Sequence, residues 1–283
     1  MIYNALIKRH LGNTQITFYN KPIRAKEEVK KAVIVPSTFI RTNSNTERTE
    51  EQIKHCQQQS LSVTKRKIYD YARAIAWDYF VTFTFDRTKI DSSDYDLVTK
   101  KTTQFLNRIR KKFCEDMVYL VVPELHKDGL HYHLHALFKN VDGLNFEHSG
   151  KVCCPGEISA RGYCDVNKYP EGNPIYNITN WRWGFSTATK VVSYEKVSHY
   201  ITKYISKDLI IHTANKKRYW HSRNIRLEQE KCNIDLDQLL FTQEISYMKS
   251  INIPVASQQI SYIELEGHIE NMQDLVYTVE NEE

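Results

Sequence analysis

Pro123–Phe138 reads PELHKDGLHYHLHALF, four histidines and a glutamate around one short polar turn. Both flanks have strand character, MVYLVVP over Met117–Pro123 and LHYHLHALF over Leu130–Phe138, and HKDG between them supplies turn residues. The stretch therefore predicts a β-hairpin. Side chains two apart on a strand share a face, so His131, His133, His135 and Leu137 point one way. Tyr132, Leu134, Ala136 and Phe138 point the other way and form an apolar face for helices to cover. Glu124 ends the neighbouring strand and can approach the histidine face. Glu124, His133 and His135 are thus candidate metal ligands, with His131 as a rival ligand. Two imidazoles and a carboxylate leave positions open for substrate, which suits a catalytic divalent ion better than a closed structural one.

A second segment carries nucleophiles. His199–Lys207 reads HYITKYISK, which places Tyr200, Lys203, Tyr204 and Lys207 at i, i+3, i+4 and i+7 of a helix predicted over Ser193–Leu209. All four then share one stripe, beside an apolar stripe of Val197, Ile201 and Ile205. Lysines interleaved with the tyrosines argue against a buried core stripe. Two phenols and two ammonium groups are a set that a single phosphate can meet.

Around these segments the coarse reading is strand, helix, strand, strand. WDYFVTFTF (Trp77–Phe85) alternates like a half-buried strand, and Tyr95–Phe113 has apolar positions at Val98, Phe105, Ile109 and Phe113. The other faces of that helix carry cations, Lys111 and Lys112 among them. Residues 140–175 read as a loop or insertion, and Ile175–Phe185 as a strand. Residues 1–65 are polar and read as a loose arm with a helix near its end. Trp181 and Trp183 in WRW, and Arg218 and Trp220 in RYWHSR, are candidate DNA-binding positions with Lys111 and Lys112.

Composition narrows the class. A hydrophobic fraction of 41% and a charged fraction of 26% are ordinary for a soluble globular protein. No apolar run reaches spanning length, and MIYNALIKRHLGNTQ lacks a signal-peptide core, so the expectation is a cytoplasmic protein without a membrane partner. The six cysteines include no C-x-x-C pair, and reduced thiols are expected. Zinc held by Cys153, Cys154 and Cys164 with His148 is the minor alternative. Charge is uneven: residues 228–283 hold two Lys/Arg and twelve Asp/Glu, which leaves 37 against 22 in residues 1–227. A basic body with an acidic tail points to a polyanionic partner. No G-x-x-x-x-G-K-[ST] loop occurs, so an ATPase of that type is not evident.

The pattern His133-Leu134-His135-Ala136-Leu137, led in by Glu-Leu-His-Lys-Asp-Gly (124–129), resembles the metal motif of HUH-superfamily rolling-circle replication initiators. VTFTF (81–85) resembles their first motif, and Tyr200-x-x-Lys203 with Tyr204-x-x-Lys207 resembles their tyrosine motif, doubled as in two-tyrosine initiators of phage and plasmids. The order strand, histidines, tyrosine is that of replication initiators; conjugative relaxases reverse the last two. One departure is that His133 follows Gly129 by four, one residue more than is common, which is why His131 stays a rival.

The resemblance covers roughly residues 77–225 and implies an α+β, ferredoxin/RRM-like domain, its central antiparallel sheet covered by helices on one face. With it go a polar basic arm at 1–70, an endonuclease domain at 71–227 and an acidic region at 228–283. It implies nicking and rejoining of single-stranded or hairpin origin DNA through a 5′-phosphotyrosine, with Mg²⁺ or Mn²⁺ as cofactor. A separate host helicase and a DNA polymerase would be partners. An HUH-type transposase and a non-catalytic single-stranded nucleic-acid binder remain the alternatives.

Overall fold

Strand alternation sets the frame from the first residues. β1 (Ile2–His10) and β2 (Asn13–Arg24) pair antiparallel and bury Ala5, Ile7, Ile16 and Phe18. α1 (Glu50–Arg73), β3 (Tyr79–Phe85), α2 (Tyr95–Lys112), β4 (Val118–Leu125) and β5 (Tyr132–Lys139) follow. Next come β6 (Phe146–Cys153), β7 (Tyr163–Asp165), β8 (Pro174–Ile178) and β9 (Gly184–Lys190). α3 (Tyr194–Lys203), α4 (Lys207–His212) and β10 (Trp220–His221) lead to β11 (Glu228–Cys232), β12 (Ile245–Ile253) and β13 (Gln258–Glu266). The computed structural model describes residues 2–24, 49–154, 162–233, 245–253 and 257–266.

The fold is α+β, with two antiparallel sheets in two compact units. One unit joins Met1–Glu50 to Leu227–Glu283 and holds a sheet of order β11-β1-β2-β13-β12. The expected arm and acidic region therefore share a sheet: Ile7 pairs with Glu230 and Ile16 with Ile263. Arg9 and Glu230 form an ion pair at 2.8 Å on adjacent strands. Residues 25–48 of the arm, and 234–244 and 267–283 of the acidic region, lie outside the described residues.

The second unit, Glu51–Arg226, holds the sheet β10-β4-β5-β3-β9-β8-β6-β7. Residues 140–175 are not a plain loop there, because β6, β7 and β8 extend the same sheet. FEHSGKVC on β6 is largely exposed and carries no apolar alternation that would announce a strand. Ile175–Phe185 is two strands, β8 and the start of β9, joined through Thr179–Trp183. Cys154 and Cys164 form a disulfide, which corrects the expectation of reduced thiols and removes both sulfurs from a zinc set. Opposite pairing of β6 and β7, with Val152 facing Cys164, brings the two chain segments together.

The core of this unit decides which way the hairpin faces. Asp94 caps α2 by accepting from the amides of Asp96 and Leu97. Phe105 of α2 lies 5.2 Å from Phe83 of β3, and Phe83 also meets Phe138 and Trp181. α2 thus covers the face made by Phe83, Leu134 and Phe138, as the alternation predicts.

Two tryptophans expected at a DNA surface belong to this core instead. Trp181 is 4% exposed, packs against Phe83, Phe85 and Phe105, and donates its indole N–H to the Thr84 carbonyl. Trp220 is 2% exposed and donates to Thr103 of α2. Arg218 is also committed: its guanidinium binds Ser60 and Thr213 and the Ile210 carbonyl. Burial of this kind leaves no ring face for a base. Trp181→Ala is expected to cost about 3–5 kcal/mol of stability, as a buried tryptophan truncation does, measured by denaturant unfolding. A variant of wild-type stability that binds single-stranded DNA less tightly would restore Trp181 as a contact residue.

Candidate active site

Two cross-strand rows build the site. Glu124 on β4, His133 on β5 and Thr84 on β3 are direct partners, so they share one face of the sheet. Two residues along, His135 pairs with Thr82 on the same face. The side chains meet as the register requires. His135 Nε2 lies 2.7 Å from a Glu124 carboxylate oxygen, and its Nδ1 shares a 3.1 Å hydrogen bond with the Thr82 hydroxyl. His133 Nδ1 shares a 3.2 Å hydrogen bond with Thr84. His126, at the end of the turn, stacks on His133 with ring centroids 5.0 Å apart.

The environment keeps both imidazoles neutral. Burial lowers the pKa of His135, which Glu124 opposes without reversing, and burial together with His126 lowers that of His133. For Glu124, burial raises the pKa, but the hydrogen bond from His135 and the charge of the surrounding imidazoles outweigh it, and the net shift is downward. Neutral imidazoles and an ionised carboxylate are the protonation states that a metal ligand set needs.

The tyrosines come to this face. Tyr204 lies flat on His135, centroids 3.4 Å apart and planes 7° apart. Tyr200 meets Tyr204 edge-on at 5.3 Å, and Phe80 of β3 bridges Tyr200 and His135. The sequence reading put helices on one face of the sheet and the site on the other. α2 does cover the apolar face, and α3 lies in addition over the histidine face, since a tyrosine on a helix reaches the histidines only from there. Tyr204 is half-buried, and burial, Tyr200 and Glu124 together push its phenol far above the ordinary tyrosine value. Tyr200 is 46% exposed, with the Lys203 ammonium 5.8 Å from its ring centre.

The predicted single helix is in fact two. α3 ends at Lys203, Tyr204 is its C-terminal cap, and Ser206 caps α4 by accepting from the Leu209 amide. Lys207 is therefore the first residue of another helix, exposed, and off the stripe that Tyr200, Lys203 and Tyr204 occupy. Serine followed by Lys-Asp is a helix-start pattern, and it overrides the continuous apolar spacing. His131 also leaves the row. It precedes β5, and its ring and amide both bind Asp128, at 2.7 and 3.0 Å. Asp128 further accepts from Leu130 and Arg87, while Gly129 takes the left-handed φ of 71° that the turn needs.

Other expected DNA contacts are scattered. Trp183 is half-buried, with Lys101 and Arg108 within 6 Å of its ring centre (5.5 and 5.9 Å). Lys111 and Lys112 are exposed in the last turn of α2, the helix on the face away from the histidines. Thr82, Thr84, Phe80 and His126 were not singled out from sequence. The alternation of VTFTF holds the signal for the threonines, because it puts both on the face opposite Phe83. The unit Glu51–Arg226 carries 28 Lys/Arg against 18 Asp/Glu, so the site sits in a more basic body than the formal chain charge of +5 suggests.

Among the described residues no three His, Cys, Asp or Glu side chains converge into a ready ion site. His135 Nε2 meets Glu124, and His133 stacks on His126. The donor set nonetheless fits a divalent ion: both rings are anchored through Nδ1, which aims Nε2 outward, and Glu124 stands beside them.

Residues 78–209 match the model of the replication-associated protein ORF2 family, a span that contains Glu124, both histidines, both threonines and both tyrosines. Neither the curated proteins nor the solved structures contain a match to the chain. The family match supports a replication-associated protein of the rolling-circle Rep type.

Proposed function

We propose that this protein nicks and rejoins single-stranded origin DNA through a phosphotyrosine, to start and end rolling-circle replication. The observation that carries this reading is the stacking of Tyr204 on His135, with Tyr200 beside it, inside the span that matches the replication family. A divalent ion, Mg²⁺ or Mn²⁺, held by Glu124, His133 and His135 would supply positive charge to a non-bridging oxygen of the scissile phosphate.

The chain's own residues do the rest. A tyrosine phenol forms a bond to phosphorus, the bond to the 3′ oxygen breaks, and that oxygen leaves as a 3′-hydroxyl after taking a proton. The phosphate is then carried on tyrosine at the 5′ end, and the free 3′-hydroxyl primes synthesis. Rejoining reverses the exchange, so one covalent step serves both cutting and sealing. Lys203, on the tyrosine stripe, holds the phosphate or stabilises the phenolate. Tyr200 and Tyr204 lie close enough for one to carry the strand while the other attacks a regenerated origin. Thr82 and Thr84 fix the imidazole orientation.

The test incubates the protein with a panel of single-stranded oligonucleotides and Mn²⁺, then looks for an adduct that survives denaturation. The wild type is expected to form one; the Tyr200→Phe/Tyr204→Phe double variant and His133→Ala are expected to form none. A panel without any adduct would move the assignment to a non-catalytic single-strand binder. Each single Tyr→Phe variant should retain one of cleavage or joining and lose the other; a variant that loses neither ends the two-tyrosine scheme.

A second measurement addresses the threonines. Thr82→Val and Thr84→Val should each lower Mn²⁺ affinity by about 10- to 100-fold, the usual cost of losing a partner behind a ligand, read by calorimetry or Mn²⁺ electron spin resonance. Unchanged affinity in both would reduce the threonines to packing residues.

A further inference from the structure

Register carries the site's face beyond the histidines. Phe185 of β9 is the direct partner of Thr84, so it stands in the row of His133 and Glu124. It is 73% exposed, although a phenylalanine on a paired strand ordinarily finds cover. Four residues along the same strand, Thr189 is the partner of Phe80. Thr187, midway between them, is in the row of Thr82 and His135. At about 3.3 Å per residue, Phe185 and Thr189 stand about 13 Å apart along β9, with the His135 row halfway.

At the Thr189 end the surface opens into a cavity of about 310 Å³. Phe80, Thr189, Val191 and Tyr200 line it, and Lys190 and Lys196 stand at it. The lining is mostly apolar, with an aromatic ring at its floor and another at its side. Ser193 adds a hydroxyl, but that oxygen already accepts from the Lys196 amide as the cap of α3. Among the described residues no carboxylate forms an ion pair with Lys190 or Lys196. An apolar slot with aromatic walls and two cations suits a planar, uncharged ring joined to phosphates. Scarce hydrogen-bonding groups make it sensitive to the presence of a base more than to its identity.

We propose that a single DNA strand lies along the outer face of β9, with one nucleobase in the Phe80–Tyr200 cavity and another stacked on Phe185. Lys190 and Lys196 neutralise phosphates at the cavity end. The backbone between the two bases then crosses the His135 row, where the tyrosines stand, so the two seats set which phosphate is cut. This rests on the nuclease reading for its purpose, but not for its measurement.

The experiment uses binding with EDTA present, so no chemistry is needed. Fluorescence anisotropy compares a labelled twelve-nucleotide thymidine strand with a twelve-nucleotide strand of abasic residues, for the full-length wild type and three variants. The wild type is expected to prefer the thymidine strand. Phe185→Ala, at an exposed position that packing does not require, and Thr189→Trp, which fills the cavity, should each weaken the thymidine strand by about fivefold or more, the cost of losing one base–aromatic stack. Both should leave the abasic strand within about twofold of wild type. Lys196→Gln should weaken the two strands alike. A wild type without preference for bases, or either aromatic-seat variant that keeps the wild-type preference, overturns the proposal. If the preference behaves as expected while no covalent adduct forms with Mn²⁺, the strand path stands and the nuclease reading alone fails.

Discussion

Everything at the site depends on the register of β5 between β4 and β3. Because side chains alternate, a slip of one residue would send both histidines into the core and bring Leu134 and Ala136 to the surface. The apolar face prevents that slip. Phe83, Phe138, Phe105 and Trp181 pack together behind the sheet, so the parity that buries them fixes the parity that presents His133 and His135. The turn reinforces it locally, with the His126 amide bound to the His131 carbonyl and Asp128 drawing in His131. The core on one side of the sheet is thus the positioning device for the chemistry on the other.

How much of this was legible in the sequence follows from how local each feature is. The hairpin, its two faces and the position of Glu124 opposite the histidines came from period-two alternation alone. Tyr200 and Tyr204 on one helical face came from their spacing of four. The break before Lys207 depends on Ser206 as a cap, a weaker sign than the apolar spacing that runs through it. Trp181 and Trp220 were misplaced because a tryptophan beside arginine reads equally as a stacking surface or as a core plug. Only their neighbours Phe83, Phe105 and Thr103, far away in the chain, decide. The same non-locality hid the partnership of the two chain ends, since β1 carries no mark that names β11 as its neighbour.

The threonines show how a polar residue serves in a strand that looks merely amphipathic. His135 is 5% exposed, and an imidazole so buried has two nitrogens to satisfy. Thr82 meets one, leaving the other for Glu124 or an ion. A valine would suit the strand equally well by propensity but would orphan Nδ1 and free the ring to rotate. Thr84 does the same for the more open His133, so the two rings are held by the same device at different depths.

The unit that bears the site also closes on itself at its two ends. α1 enters it, and the segment around β10 leaves it. Arg218 on the outgoing segment binds Ser60 of α1, and Tyr71 of α1 stacks on His221 of β10 at 4.3 Å. Trp220, between them in sequence, anchors the same strand into the core against α2. With incoming and outgoing chain fastened to each other, the hairpin register is secured by contacts made within Glu51–Arg226. The sheet built from the chain termini has its own core of Ala5, Ile7, Ile16, Phe18, Ile263 and Leu265. Each unit thus has an independent reason to fold, and the basic charge concentrated in the Glu51–Arg226 unit remains with the site it surrounds.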